Sequence, residues 1–243
     1  MSKENIGIKD EKVRELFEAG AHLGFSRARR HPSVNQYIFG FKNRTAIVDL
    51  EKSLSSLEKA KELVKKIASE GKQILFVGSK NEAREAIRRA AESIDMPFVI
   101  GRWVGGTFSN ANQIRSRINR MRDLIEKDKK GELSVYKKKE RGMIAIELEK
   151  LQKNFANIDN MEKLPAVVFV VDPKEEKIAV DEANQVNIPV IALSGTDCDV
   201  RGIKYPVIAN DASKATIDFF AKSLALAYAE GKALVKATPA KAE

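Results

Sequence analysis

Four arginines occupy one short, helix-like stretch of this chain, and guanidinium groups are well suited to holding phosphates. They are Arg115, Arg117, Arg120 and Arg122. At about 100° per residue they flank both sides of a narrow apolar stripe. A second basic group opens the next helix or its approach, namely Lys137, Lys138, Lys139 and Arg141. The pattern favours a helical rod whose arginines contact phosphates. The same pattern is expected if the aliphatic parts of the arginine side chains only cover the apolar stripe.

The positive charge of the chain is concentrated in two segments. Of 243 residues, 43 are Lys or Arg and 34 are Asp or Glu, a net charge of +9. Residues 112–153 carry 13 basic and 7 acidic side chains, and the rest of the chain outside the two segments is slightly acidic. Residues 24–44 hold no acid and five basic residues, Arg27, Arg29, Arg30, Lys42 and Arg44. Such clustering is expected of a nucleic-acid footprint, whereas the alternative is two ordinary solvated surfaces.

Residues 101–110, with the sequence GRWVGGTFSN, form the most unusual segment. The only tryptophan, Trp103, follows Arg102, and both could contact a base or a ribose. A tight bend held by a buried Trp103 is an equally good interpretation. The glycines do not match the dinucleotide-binding fingerprint, and residues 77–80 do not match a phosphate loop.

Residues that could support catalysis have simpler explanations. Asp49 and Asp172 follow predicted strands, but each is better explained as a helix cap. His22 and His31 lack partners at zinc-ligand spacing. Cys198 lies between two aspartates, which discourage a thiolate. We therefore expect no catalytic residue, no metal, no cofactor and no small-molecule substrate.

Composition indicates one large domain or two small ones, able to bury a full core. One cysteine is typical of a reducing compartment. The first twelve residues do not resemble a secretory signal, and apolar runs of about eight residues are too short to span a membrane.

Short apolar strands alternate with helices in both halves of the chain, which predicts a parallel sheet covered on both faces. An N-terminal helix at 13–19 precedes a polar, basic loop and two strands around a turn at 41–44. Ser79 and Glu82 predict a capping box, and Asp172 the N-cap of a helix that begins at Pro173. Buried strands are predicted at 73–78, 166–171 and 188–193, a short strand at 97–100 and a strand-like segment at 206–208.

Two helices between these halves carry apolar residues at coiled-coil spacing. The first has Ile114, Ile118, Met121 and Ile125, and the second has Ile144, Leu148, Leu151 and Phe155. We expect an inserted antiparallel α-helical hairpin at 109–159 that projects from an α/β body formed by 1–108 and 160–230. A flexible tail is expected at 231–243.

Together these segments resemble the bacterial type of small-subunit ribosomal protein two, over residues 13–230. The resemblance rests on an ordered set of motifs: LFEAGAHLG at 16–24, YIFG at 37–40, DLEK at 49–52, ILFVG at 74–78, RWVGGTFSN at 102–110, DCD at 197–199 and YPVIAND at 205–211. It implies a flavodoxin-like (Rossmann-like) α/β domain with a coiled-coil hairpin. It also implies a non-enzymatic cytoplasmic component of the small ribosomal subunit, bacterial or organellar in type, that binds rRNA and helps dock small-subunit ribosomal protein one.

Four places depart from the usual family residues. Phe25 replaces a histidine, and His31 replaces a tryptophan in an Arg-Arg-Trp-Asn-Pro motif. Arg44 stands where an Asn-Gly turn has its glycine, and Arg201 replaces an aspartate. No metal or stacking role is carried over to these positions. An α/β enzyme that binds nucleotides or sugar phosphates, and a coiled-coil protein adaptor, remain the alternatives.

Overall fold

The structure, a computed structural model, describes residues 11–161 and 163–237, with side chains to residue 234. Its helices are α1 (Glu11–Glu18), α2 (Leu50–Ser69), α3 (Asn81–Ser93), α4 (Ala111–Lys129), α5 (Lys138–Phe155), α6 (Lys177–Gln185) and α7 (Lys214–Ala237). Its strands are β1 (Leu23–Ser26), β2 (Ile38–Lys42), β3 (Thr45–Val48), β4 (Ile74–Val77), β5 (Phe98–Val99), β6 (Val167–Val171), β7 (Val190–Ser194) and β8 (Tyr205–Ile208).

Five parallel strands form the central sheet, in the order β5-β4-β6-β7-β8. Every residue of β4, β6 and β7 is buried, as continuous apolar strands require when both faces are covered. Alternate residues pack against α2, α3 and α7 on one face and against α6 on the other, where α4 and α5 belong to the same apolar cluster. The predicted parallel sheet with helices on both faces is confirmed.

A separate antiparallel sheet has the order β1-β3-β2 and lies near the N-terminus. β2 and β3 correspond to the two predicted strands. β1 lies in the segment that we predicted to be a polar loop, so that prediction is wrong for residues 23–26. The backbone of β1 pairs with that of β3. The sequence does not show this strand because four residues are too few for a clear alternation of apolar and polar side chains.

Helix starts agree only in part with the sequence predictions. Asp49 caps α2, with its carboxylate accepting from the Lys52 N–H at 3.3 Å. The predicted capping box of α3 is wrong, because Lys80 is the N-cap and the Ser79 N–H donates to Glu176 instead. The start of α6 is also displaced, since Asp172 caps a turn and the helix begins at Lys177.

α4 and α5 follow one another between β5 and β6 and pack against each other. Of the predicted stripe, Ile125, Ile144 and Leu148 are half-buried and the other residues are buried. Leu124, which the predicted stripe omitted, is buried as well. The coiled-coil geometry and the projection of this pair stay predictions.

α7 extends to Ala237, so residues 231–237 are helical although a flexible tail was predicted there. Gly231 is buried where α7 passes Lys65 and Ala68 of α2. The predictions for residues 1–10 and 238–243 fall outside the described residues. Among the described residues, no helix combines the length and the apolar character that a membrane crossing requires.

Candidate nucleic-acid interface

The β2–β3 hairpin brings together the basic residues of the N-terminal segment. The backbone N–H of Arg27 donates to the backbone carbonyl of Arg44 at 2.9 Å. This hydrogen bond fixes the segment after β1 against the tip of the hairpin. The guanidinium carbons of Arg27 and Arg30 lie 5.3 and 5.5 Å from the centre of the Phe41 ring. Arg29 lies 5.9 Å from the ring of Phe25. Three of the cations thus lie on aromatic faces, with Arg27 and Arg29 exposed and Arg30 half-buried.

The hairpin turn itself is unusual in its residue types. Lys42 pairs with Thr45, and the two residues between them, Asn43 and Arg44, have φ angles of 48° and 65°. Positive φ at both central positions is the geometry of a tight turn that favours Asn-Gly. Asn tolerates this region, but an arginine there is strained by roughly 1–2 kcal/mol. The tight turn therefore persists despite the missing glycine, and Arg44 adds a charge at its tip.

Among the residues that the structure describes, no acidic side chain pairs with the five basic residues of this surface. Arg27, Arg29, Lys42 and Arg44 are exposed, and Arg30 is half-buried. Within residues 11–161 and 163–237, none of the five forms an ion pair with a carboxylate. We call the set Arg27, Arg29, Arg30, Lys42 and Arg44 the hairpin surface. Its positive charge is available to an anionic partner.

The arginines of α4 are in a different situation. Arg120 contacts Glu147 of α5 at 3.3 Å, and Arg122 contacts the Asp159 carboxylate at 2.6 Å. These two ion pairs hold α4 against the chain that follows, so part of the charge is neutralised internally. Arg115 and Arg117 are exposed, and no ion pair involves Arg117 in the described part of the chain.

The start of α5 presents the other basic group of the predicted arm. Lys137, Lys138, Lys139 and Arg141 are all exposed. The Lys137 N–H donates to the Glu140 carboxylate at 3.0 Å, which fixes the first turn of α5. The four basic side chains lie on this turn and the one that follows.

The segment that contains Trp103 is held by a residue far away in the sequence. Glu182 of α6 is buried, and one of its oxygens accepts from the Gly106 N–H at 2.6 Å and from the Trp103 indole at 3.4 Å. Its other oxygen accepts from the Phe108 N–H at 3.0 Å. Trp103 is 6% exposed and packs edge-on against Phe108. This burial favours the bend held by a tryptophan, and we leave Trp103 out of the interface; Arg102 is exposed.

A second group of charged residues lies at the carboxyl ends of the parallel strands. The Lys80 ammonium, after β4, lies 2.8 Å from the Asp172 carboxylate and 3.0 Å from that of Asp211. The chain leaves β4 for β5 on one side and returns to β6 on the other, so Lys80 and Asp172 span the point where strand order reverses. Sequence reasoning missed Lys80 and Asp211, although both follow strands that end at this edge.

The protonation of this group is set by burial and by mutual charge. Burial, and then the charge of Asp172, raise the pKa of Asp211 to about 6. Burial alone would raise the pKa of Asp172, but the hydrogen bond and charge of Lys80 hold it below its usual value. Burial, followed by the nearby carboxylates, raises the pKa of the Cys198 thiol. The thiol is therefore a poor nucleophile, as expected from the sequence.

Donor atoms of Asp172, Cys198 and Asp211 lie within 4.8 Å of one another, close enough for a shared cation. Lys80 already supplies a positive charge to both carboxylates. A protonated thiol is also a poor metal ligand. We interpret the group as an internal ion-pair network that joins three strand ends.

Comparison with known proteins decides between the alternatives left by the geometry. The family model described as Ribosomal protein S2 matches residues 16–231. The chain belongs to the ribosomal protein S2 family. A curated relative is the small ribosomal subunit protein uS2 of Micrococcus luteus, 40% identical over 220 residues, which are 90% of this chain and 77% of the relative.

Membership of this family confirms the resemblance found in the sequence. The chain is a structural constituent of the small ribosomal subunit in the cytoplasm and takes part in translation. Ribosomal protein S2 is a non-enzymatic component, so the prediction of a protein without catalytic activity is confirmed. Its partners are rRNA and other ribosomal proteins.

Proposed function

We propose that this chain binds small-subunit rRNA through the hairpin surface and, at a second place, through the helical pair α4 and α5. The observation that carries the proposal is the hairpin surface itself, which presents five cations without a carboxylate partner in the described part of the chain. Arg27 and Arg30 lie against the Phe41 ring, so these two side chains are partly positioned before they meet phosphates. Phosphate contacts of this kind position a protein on RNA.

In this proposal the helical pair is an antiparallel coiled-coil arm. Its proposed phosphate contacts are the exposed Arg115, Arg117, Lys137, Lys138, Lys139 and Arg141, while Arg120 and Arg122 mainly hold the arm together. Arg102 adds an exposed cation ahead of α4. Because a basic rod meets duplex RNA mostly at its backbone, we expect contacts to shape and phosphates in this region.

A contact with small-subunit ribosomal protein one is a further part of the proposal, carried by the family resemblance. The exposed apolar residues that suit a protein partner lie in the turn between α4 and α5 and on α5 itself. Val135, Met143 and Ile146 are 87%, 58% and 55% exposed. Charge-free apolar contacts would distinguish this docking from rRNA binding by a weak dependence on salt.

A salt titration of rRNA binding tests the central proposal. We compare the wild-type chain with a variant in which Arg27, Arg29, Lys42 and Arg44 are changed to Gln. Each lost phosphate contact should lower the slope of log affinity against log salt by roughly 0.7–0.9. The matched control changes four exposed lysines elsewhere to Gln, namely Lys59, Lys66, Lys177 and Lys204.

The control variant loses the same net charge, so it corrects for long-range attraction. We expect the hairpin variant to bind rRNA with a slope smaller by about 3, and the control variant to keep most of the wild-type slope. Equal slopes for the two variants would remove the hairpin surface from the interface. Circular dichroism of both variants verifies that the fold is retained.

A further inference from the structure

The hairpin surface also carries aromatic rings, and one of them is almost fully exposed. Phe39 is 81% exposed, whereas Phe41 is 42% exposed and contacts the guanidinium groups of Arg27 and Arg30. Single exposed apolar residues are ordinary, but an exposed phenylalanine on the same strand as Lys42 and as Phe41, whose ring two guanidinium groups contact, is a specific combination. Phosphate binding alone gives no reason for it.

The backbone explains why Phe39 points away from the core. Ile38 pairs with Val48 and Gly40 pairs with Ile47, so two steps along β2 correspond to one step along β3. Phe39 is the extra residue of a β-bulge, which re-aims a side chain relative to regular alternation. A bulge at this position presents the ring to solvent while Ile38 and Gly40 keep their places in the ladder.

The chemistry that matches this surface is that of unpaired nucleotides. Proteins that bind single-stranded RNA combine cations that follow the backbone with aromatic rings on which bases stack. Bases inside a duplex offer no free face, so exposed rings favour loops, bulges and ends. An acidic protein partner would satisfy the cations but would gain little from a protruding ring.

We propose that Phe39 stacks on an unpaired RNA base, while Arg27, Lys42 and Arg44 hold the flanking phosphates. The ring of Phe41 is already contacted by Arg27 and Arg30, so the more exposed ring of Phe39 is the stacking platform. This inference rests on the proposed rRNA binding and deepens it, because it assigns single-stranded RNA to the hairpin surface and leaves duplex contacts to α4 and α5.

Binding of two RNAs to the full chain tests the proposal. One is a single-stranded oligouridylate of twelve nucleotides, and the other is a twelve-base-pair RNA duplex. Phe39→Ala should weaken binding to the single strand about 5- to 150-fold, the range expected for loss of one stacked base, and leave duplex binding unchanged. Ile178→Ala, which truncates another exposed apolar residue, is the control and should affect neither RNA.

Phe39→Trp provides a direct readout that a purely structural role would not move. It should retain single-strand binding, and the added indole fluorescence should be quenched by the single strand but not by the duplex. The native tryptophan is buried, so it contributes a nearly constant background.

The outcomes separate this inference from the proposed function. If Phe39→Ala binds both RNAs like the wild type, stacking is wrong and phosphate binding by the hairpin surface stands. Stacking would also be overturned if Phe39→Ala lost the same affinity for both RNAs. The same holds if this variant no longer associated with the small subunit while its RNA affinity was unchanged. If the wild-type chain binds neither RNA with a dependence on salt, the proposed function itself fails.

Discussion

The indole N–H of Trp103 donates to the carboxylate of Glu182, although the two residues are 79 positions apart in the sequence. Glu182 also accepts from the backbone of Gly106 and Phe108, so one side chain of α6 satisfies three donors of the loop that leads into α4. A buried carboxylate is tolerated because these hydrogen bonds replace its water. The relationship ties the orientation of α4 to the central sheet.

Glu182→Gln should destabilise this loop. A glutamine has one acceptor oxygen in place of two and turns an N–H group toward a donor, so a buried hydrogen bond is lost at a cost of about 2 kcal/mol. Urea unfolding measures the loss, and the fluorescence of Trp103 should shift to longer wavelength. Asp181→Asn, at an exposed position next to it, is the control and should leave both unchanged. Equal unfolding midpoints for Glu182→Gln and the wild type would contradict the role of the carboxylate.

Arg44→Gly should raise stability and lower RNA affinity together. Glycine adopts the positive φ of this turn without strain, which favours folding by roughly 1 kcal/mol. The same change removes a cation from the tip of the hairpin, and the salt slope of rRNA binding should fall by about 0.7–0.9. Thermal unfolding and the salt titration measure the two effects. Asn43→Gly also relieves a positive φ but removes no charge. If this variant loses RNA affinity as well, the charge of Arg44 is not the cause of the loss.

Arg117 and Arg122 should behave differently although both lie on α4. Arg122→Gln breaks the ion pair with Asp159, an exposed contact whose loss costs about 1 kcal/mol at most, and should change RNA binding little. Arg117→Gln should leave stability unchanged and lower the salt slope of duplex RNA binding. Urea unfolding and a duplex titration of both variants provide the comparison. The reverse pattern would assign the phosphate contact to Arg122.

The regular part of the fold was predictable because it depends on local patterns. Apolar runs such as Val167–Val171 read directly as buried strands, and α2 was marked by its spacing and by Asp49. The missed features depend on pairs that are distant in sequence. Glu182 looks like an ordinary polar residue of a helix, and nothing near Lys80 indicates that Asp211 will lie 3.0 Å from it.

The candidate site was predictable in composition but not in arrangement. A count of charge identified residues 24–44, yet it could not show that Arg27 and Arg30 would lie against Phe41. Nor could it separate Arg117 from Arg120 and Arg122, whose charges are partly met by carboxylates of later segments. The exposure of Phe39 depends on a bulge that only strand pairing reveals.

Asp211→Asn should change how stability depends on pH. The pKa of Asp211 is about 6 in the folded chain and 3.8 in its ordinary state, so folding favours the protonated form. The stability from this group is fully present below about pH 4 and is lost as the pH rises through 6. An asparagine mimics the protonated acid, because its amide donates to Asp172 and its oxygen accepts from Lys80.

The free energy of unfolding of Asp211→Asn should therefore rise relative to that of the wild type between pH 4.5 and pH 7.5. The increase should be about 2 kcal/mol at most. Urea unfolding at pH 4.5, 6.0 and 7.5, followed by Trp103 fluorescence, measures the difference. Asp181→Asn, which removes an exposed carboxylate, should show a smaller trend across the same pH values. Because Asp172 and Asp211 titrate as a pair, only the difference between variant and wild type is assigned to Asp211. A difference that stays constant or shrinks toward pH 7.5 would show that Lys80 keeps both carboxylates ionised throughout this range.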